Sequence, residues 1–274
     1  MVLFLYSDKK YEYIATACIK SIGSKITDDI KIVYYTIGFK SDFTFKNLKT
    51  VEIEVNELYP NFIFYKPELA LLTLESYPDE KYFLYSDSDI LYSKRFDFEK
   101  MKHEYNHPMT CYGPFDYVFA WEKNENGEMI KFDEKKLMEY FNVPERSMRY
   151  VPAWFFSFNH SCKDFFEEWL SMCKNKYLLD RKKIYFPLAD ETSFNICLWK
   201  RNVVQNYGFI SINTNLLNTI KQVEENDNIK EQHFDRVDAL GANWEYVNNS
   251  SNIVFYHGTT AKEDIEKNIN YLVG

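Results

Sequence analysis

Apolar positions along the chain alternate between short continuous runs and helical stripes. "VLFLYS" near the N-terminus is an apolar run of strand length. Tyr11, Ile14, Ala15, Cys18, Ile19 and Ile22 follow at the spacing of one helix face. "IKIVYYTI" predicts a second strand and "LKTVEIEV" a third. "PELALLTLESYP" predicts a helix opening at Pro67, where a first-turn proline is tolerated, and stopping before Pro78. "KYFLYSD" predicts the next strand. This β-α-β rhythm predicts an α/β fold with a mostly parallel central sheet and helices on its faces.

Past residue 100 the rhythm loosens. "EKNENGEM" predicts a turn, and "FDEKKLMEYFN" a helix capped by Asp133. "WFFSF" predicts a strand. Phe165, Phe166, Trp169, Leu170 and Cys173 mark one face of another helix. "DETSFNICLWK" predicts a further helix and "NIVFYH" a late strand. No repeat, low-complexity tract or linker breaks the chain, so residues 1–274 are expected to form one domain.

Composition narrows the function classes. The chain is 46% hydrophobic, with 23 Phe and 22 Tyr, which is ample for a large core. Its 41 acidic and 33 basic residues leave a net charge of −8, which disfavours a broad nucleic-acid surface. No apolar run approaches a transmembrane segment in length, and the N-terminus lacks the basic region and cleavage site of a signal peptide. The 5 cysteines form no CxxC pair and are read as free thiols in the core. Together these features predict a cytoplasmic protein.

Three segments could carry chemistry. In "YFLYSDSDILY" (82–92), Asp87 and Asp89 sit at the C-terminal end of a strand, the edge where open α/β sheets bind ligands. Residues i and i+2 of an extended strand share a side, so both carboxylates can grip one hard cation. A solvated strand-end turn is the plain alternative. In "YFPLADETSFNICLW", Asp190 and Glu191 start a helix between apolar stretches. They can act on a reacting sugar carbon or an acceptor hydroxyl, or merely favour the helix N-terminus, as Thr192 and Asn195 also can. In "IVFYHGTTAKEDI", His257 can complete a metal site already held by two Asp, and Lys262 can neutralise a diphosphate.

In this order, the segments resemble a glycosyltransferase of the GT-A, Rossmann-like fold. "YSDKKYEYIATACIKSI" is similar to the opening of the glycogenin and bacterial lipooligosaccharide galactosyltransferase family, and "YKPELALLTLESYPDEKYFLYSDSDILY" to its helix and DxD strand. "DETSFN" resembles the "DESxLN" of the histo-blood-group transferases. The resemblance implies a nucleotide-binding half over 1–100, and an acceptor half with a late metal ligand over 101–274. It implies a UDP-sugar donor with Asp8 and Tyr11 on the uracil, and Tyr6, Lys66, Asp87, Ser88, Gly258 and Lys262 elsewhere in the donor site. It further implies Mn²⁺ or Mg²⁺ on Asp87, Asp89 and His257, and a glycan or other hydroxyl acceptor. Glu191 takes the front-face catalytic role, as a nucleophile with retention or a base with inversion, the blood-group resemblance favouring retention, and Asp190 orients hydroxyls.

The chain departs from the family in two places. "PAWFFSFN" has Pro152-Ala153-Trp154 where the family has an "NAG"-type segment, and "HGTTAK" is shorter than the usual "HxxGxxKPW". Tyr112, Phe115, Tyr117, Trp121 and Trp154 fall in the irregular region where acceptor sites form, although most aromatics in such a chain are core.

Other readings compete. "hhhDxDxxL" is also the opening motif of haloacid-dehalogenase-type phosphatases, with Asp87 as nucleophile, but that fold begins with this strand. A nucleotidyltransferase would carry a Gly-rich loop after its first strand, and no Gly precedes Gly23. A non-catalytic sugar-nucleotide-binding protein is the third.

Overall fold

The computed structural model describes residues 1–23, 26–57, 59, 62–92, 98, 108–112, 121–123, 129–131, 138–143, 151, 153–174, 189–201, 207–210 and 255–257. Strand β1 (Val2–Asp8) is buried over nearly its whole length, which explains its unbroken apolar run. A single 3₁₀ turn (Lys9–Tyr11) leads into helix α1 (Glu12–Ile22). Strands β2 (Lys31–Ile37) and β3 (Leu48–Ile53) follow, then α2 (Tyr65–Ser76), β4 (Phe83–Ser86) and β5 (Ile90–Tyr92). Later come β6 (Met109–Tyr112), β7 (Trp121–Lys123), β8 (Met129–Lys131) and β9 (Phe155–Phe158). The last described elements are α3 (Lys163–Cys173), α4 (Ala189–Arg201), β10 (Tyr207–Ile210) and β11 (Phe255–His257).

Among the described residues, seven strands form the main sheet in the order β10-β6-β9-β4-β1-β2-β3. Strands β3, β2, β1 and β4 run parallel, and β10 runs parallel to β6. Only β9 is reversed, antiparallel to both β4 and β6. The sheet is thus mostly parallel, as the sequence predicts. Two small antiparallel pairs stand apart, β5 with β11 and β7 with β8.

The sheet is covered on both faces. Leu3, Leu5 and Ile32 pack with Ala15, Cys18, Ile19 and Ile22 of α1. Phe4, Tyr6, Tyr35 and Tyr85 point the other way, into a core shared with α2, α3 and α4. Alternation along each strand thus sends neighbouring side chains to opposite layers.

Several local expectations shift. Helix α2 starts at Tyr65 rather than Pro67, because Pro67 still lies in the first turn, where its missing N–H has no intrahelical partner to lose. Tyr11 belongs to the 3₁₀ turn before α1, which Asp8 caps by accepting from the Tyr11 amide at 2.9 Å. Met172 joins the buried face of α3, a position the aromatic stripe did not include. The predicted 132–142 helix is described only at its end, where 138–140 are helical, so Asp133 lies outside the described residues. All five cysteines are free and buried. Among the described residues, no helix is long and apolar enough to cross a membrane.

Candidate active site

Strands β1 and β4 are neighbours, yet the chain leaves β1 for β2 on one side and β4 lies on the other. Strand order therefore reverses between them, and the splayed carboxyl ends leave a crevice there. A cleft of about 270 Å³ occupies that place. Its wall includes Tyr6, Ser7 and Asp8 from the end of β1 and Tyr11 from the turn beyond. Lys66 enters from α2, and Asp87, Ser88 and Asp89 from the end of β4. Seven residues expected in the donor site from sequence thus share one concavity.

The aspartates do not sit on an extended strand. Strand β4 stops at Ser86, and the Ile90 amide donates to the Asp87 carbonyl at 3.3 Å, closing a turn over Asp87-Ser88-Asp89. Asp87, Ser88 and Asp89 all still line the cleft, so a turn and a place on the cleft wall coincide, although Asp89 is buried. The Asp87 amide donates to the Trp154 carbonyl at 2.8 Å, which fixes the start of the turn against the segment leading into β9.

Lys66 is the centre of the site's charge. It is 6% exposed, and its Nζ lies 2.9 Å from Asp190 Oδ2, 3.2 Å from Asp87 Oδ1 and 3.0 Å from the Ala153 carbonyl. Tyr85 lies under the ammonium, 5.6 Å to its ring centroid, and its hydroxyl donates to Asp87 Oδ1. Burial alone pulls the Lys66 ammonium down, but the Asp190 and Asp87 charges outweigh it and hold the group well above its usual value. Lys66 is therefore charged across the neutral range, and its stabilising contribution is lost only as pH rises through that raised value.

The Asp-Glu pair opens α4, as predicted, but behind the cleft. Neither residue is on its described wall. Asp190 is 4% exposed and directed at Lys66. Glu191 is half-buried, with Oε2 accepting from the Ala153 amide at 3.3 Å. Asn195 does not cap the helix. Its Oδ1 accepts from the Val151 amide at 2.8 Å and its Nδ2 donates to the Val151 carbonyl at 2.7 Å, stapling α4 to the chain ahead of β9.

The Pro-Ala-Trp departure thus has a structural meaning. The Ala153 amide and carbonyl hold Glu191 and Lys66, and the Trp154 carbonyl holds Asp87. The segment ties all three acidic and basic motifs together through its backbone, a role no side-chain pattern signals. Trp154 is 5% exposed and packs in the core, so it offers no stacking face for a sugar.

His257 ends β11, whose register pairs it with Ile90, the residue after Asp89. The backbone therefore brings the late segment to the paired aspartates. Asp87 and Asp89, both on the cleft wall, are oxygen donors of the kind a hard divalent cation takes. Among the described residues alone, no group of three possible ligands is gathered. Gly258 and Lys262 lie outside the described residues, as do Phe115 and Tyr117.

No protein-family model matches the chain, and no curated protein does either. Among solved structures, it is similar to a glycosyltransferase involved in the glycosylation of the major capsid of PBCV-1. The likeness covers 98% of both chains with a TM-score of 0.54 and 9% sequence identity. It shows that the two share a fold.

Proposed function

We propose that the chain is a metal-dependent glycosyltransferase, moving a sugar from a nucleotide diphosphate, UDP before others, to a hydroxyl acceptor such as a glycan. The observation that carries this reading is the switch-point cleft. It gathers the DSD turn, Asp8, Tyr11 and Lys66 in a chain with the fold of a glycosyltransferase.

In this reading Asp8 and Tyr11 hold the base. Asp89, Asp87 and His257 hold Mn²⁺ or Mg²⁺, which when bound supplies Lewis-acid stabilisation of the diphosphate. Tyr85 and Lys66 fix the Asp87 carboxylate from behind, so it is oriented before any ligand arrives. Lys66 also positions Asp190, which orients hydroxyls. Glu191 acts at the sugar's front face, steadied by the Ala153 N–H. Retention is favoured over inversion by the resemblance of "DETSFN" to the blood-group transferases. Lys262 balances charge on the leaving diphosphate. The phosphatase reading is disfavoured because that fold opens on the strand before this motif, whereas here that strand is the fourth in chain order.

Release of UDP from a panel of UDP-sugars tests this, with Mn²⁺ or with EDTA. The expected result is Mn²⁺-dependent turnover that Asp89→Asn abolishes while the thermal transition stays in place. Turnover by the Asn variant, or hydrolysis of simple phosphate esters instead, would overturn it. The configuration of the new glycosidic bond, read by proton NMR, separates retention from inversion.

A further inference from the structure

The cleft has one wall that the charged residues do not explain. Phe62 starts a 3₁₀ turn (Phe62–Phe64) just before α2 and lines the cleft while remaining 37% exposed. Exposed large apolar side chains are few among the described residues, and only this one lies on the cleft wall. It is also held in place. Its ring lies nearly parallel to that of Tyr65, 21° between planes and 6.1 Å between centroids. Tyr65 is buried, accepts from the Asn56 amide at 2.5 Å, and meets Tyr59 edge-on at 4.9 Å. Tyr59 is fixed in turn by donating to Glu68 at 2.8 Å. A phenyl ring braced this way loses little freedom when a flat ligand stacks on it.

Resting on the glycosyltransferase reading, we propose that Phe62 is a base-stacking residue of the donor site, packing against the planar face of the nucleobase. Of the cleft's other apolar lining, Ile14 and the rings of Tyr6 and Tyr85 are buried, and Tyr11 is already assigned to the base. The remaining carboxylates, hydroxyls and ammonium suit ribose, phosphates and metal. The base is the one part of a nucleoside diphosphate that presents an extended apolar face, and Phe62 is the matching surface. Stacking is tolerant of base identity, so Phe62 contributes affinity while edge contacts elsewhere set the choice of base.

Calorimetric titration tests this with uridine, UDP and UDP-glucose, in the presence of Mn²⁺, on wild type, Phe62→Ala and Phe62→Trp. Phe62→Ala is expected to weaken uridine and UDP alike, by roughly tenfold from the usual worth of one base stack. Phe62→Trp is expected to restore binding to the wild-type level or better. Inorganic pyrophosphate with Mn²⁺ should bind Phe62→Ala and wild type equally, which separates a lost stack from a disturbed site. Unchanged uridine and UDP affinity in Phe62→Ala overturns the assignment while leaving the donor reading intact. So does a loss seen with UDP-glucose but not with UDP, which would place the ring against the sugar. Wild type that binds neither uridine nor UDP removes the donor reading itself, and the stack with it.

Discussion

The two faces of the central sheet are built differently. Around α1 the packing is largely aliphatic, with Leu3, Leu5, Ile19, Ile22 and Ile32 filling the layer. Under α2, α3 and α4 it is dominated by rings, among them Phe4, Tyr6, Tyr85, Phe156, Phe166 and Trp169. The rings bring polar handles that need partners when buried. Tyr35 shares a hydrogen bond with Thr73 at 2.9 Å, and Tyr85 donates to Asp87. Trp169 Nε1 lies 3.0 Å from both the Asp190 carbonyl and Ser193 Oγ. Burial raises the Tyr6 hydroxyl far above its usual value, so it stays neutral beside the Lys66 cluster. The aliphatic layer chiefly holds the sheet together. The aromatic layer also anchors the charges of the site.

That contrast can be broken most severely at Lys66. Lys66→Met leaves Asp190 buried without its cation and should cost about 3–5 kcal/mol in urea unfolding, with ligand binding lost. Adding Asp190→Asn should recover part of the stability and none of the binding. Leu5→Ala, on the aliphatic face, should cost about 2–5 kcal/mol through its cavity, yet leave UDP affinity at the wild-type level where the protein is folded. Weakened UDP binding in that variant would mean the two layers are not separable. Trp169→Phe removes the indole donor and should cost about 1–3 kcal/mol, while lowering turnover by loosening the start of α4.

The smallest effect is expected at the far end of α4. Glu168 pairs with Lys200 at 2.5 Å and with Arg201. Burial pushes its carboxyl up, but the two cations outweigh burial and leave it below the usual carboxylate range. Its stabilising contribution is therefore present above that range and lost as pH falls through the lowered value. Glu168→Gln should remove no more than about 1 kcal/mol at neutral pH and flatten that part of the acid limb of a stability–pH curve. Catalysis should not change.

The elements readable in sequence were those set by nearby residues. Strands β1, β2 and β4 are apolar runs of strand length, and α1 and α3 carry stripes at helical spacing, so each declares itself locally. The DSD and DE motifs were legible as polar pairs inside apolar surroundings, and the structure finds each at the element end expected. What links them was not legible. Lys66 and Ala153 are 87 residues apart, and the bond between them uses a backbone carbonyl that carries no sequence signature. The reversal of β9 depends on register with β4 and β6, which a single run such as "WFFSF" does not specify. Asn195 fits a helix-start role by type, yet its amide is spent on Val151, because that backbone needs both a donor and an acceptor where no strand supplies them. Nothing in the sequence sets Phe62 apart from the chain's other aromatics; its exposure on the cleft wall does.

The central claim is that the paired aspartates hold a divalent cation for a nucleoside diphosphate. The most direct measurement is calorimetric titration of UDP into wild type and Asp89→Asn, each with Mn²⁺ and with EDTA, and with GDP as comparator. The account predicts UDP binding to wild type that requires Mn²⁺ and is absent in Asp89→Asn, with GDP weaker. Equal binding with Mn²⁺ and with EDTA, or full binding by the Asn variant, would contradict it.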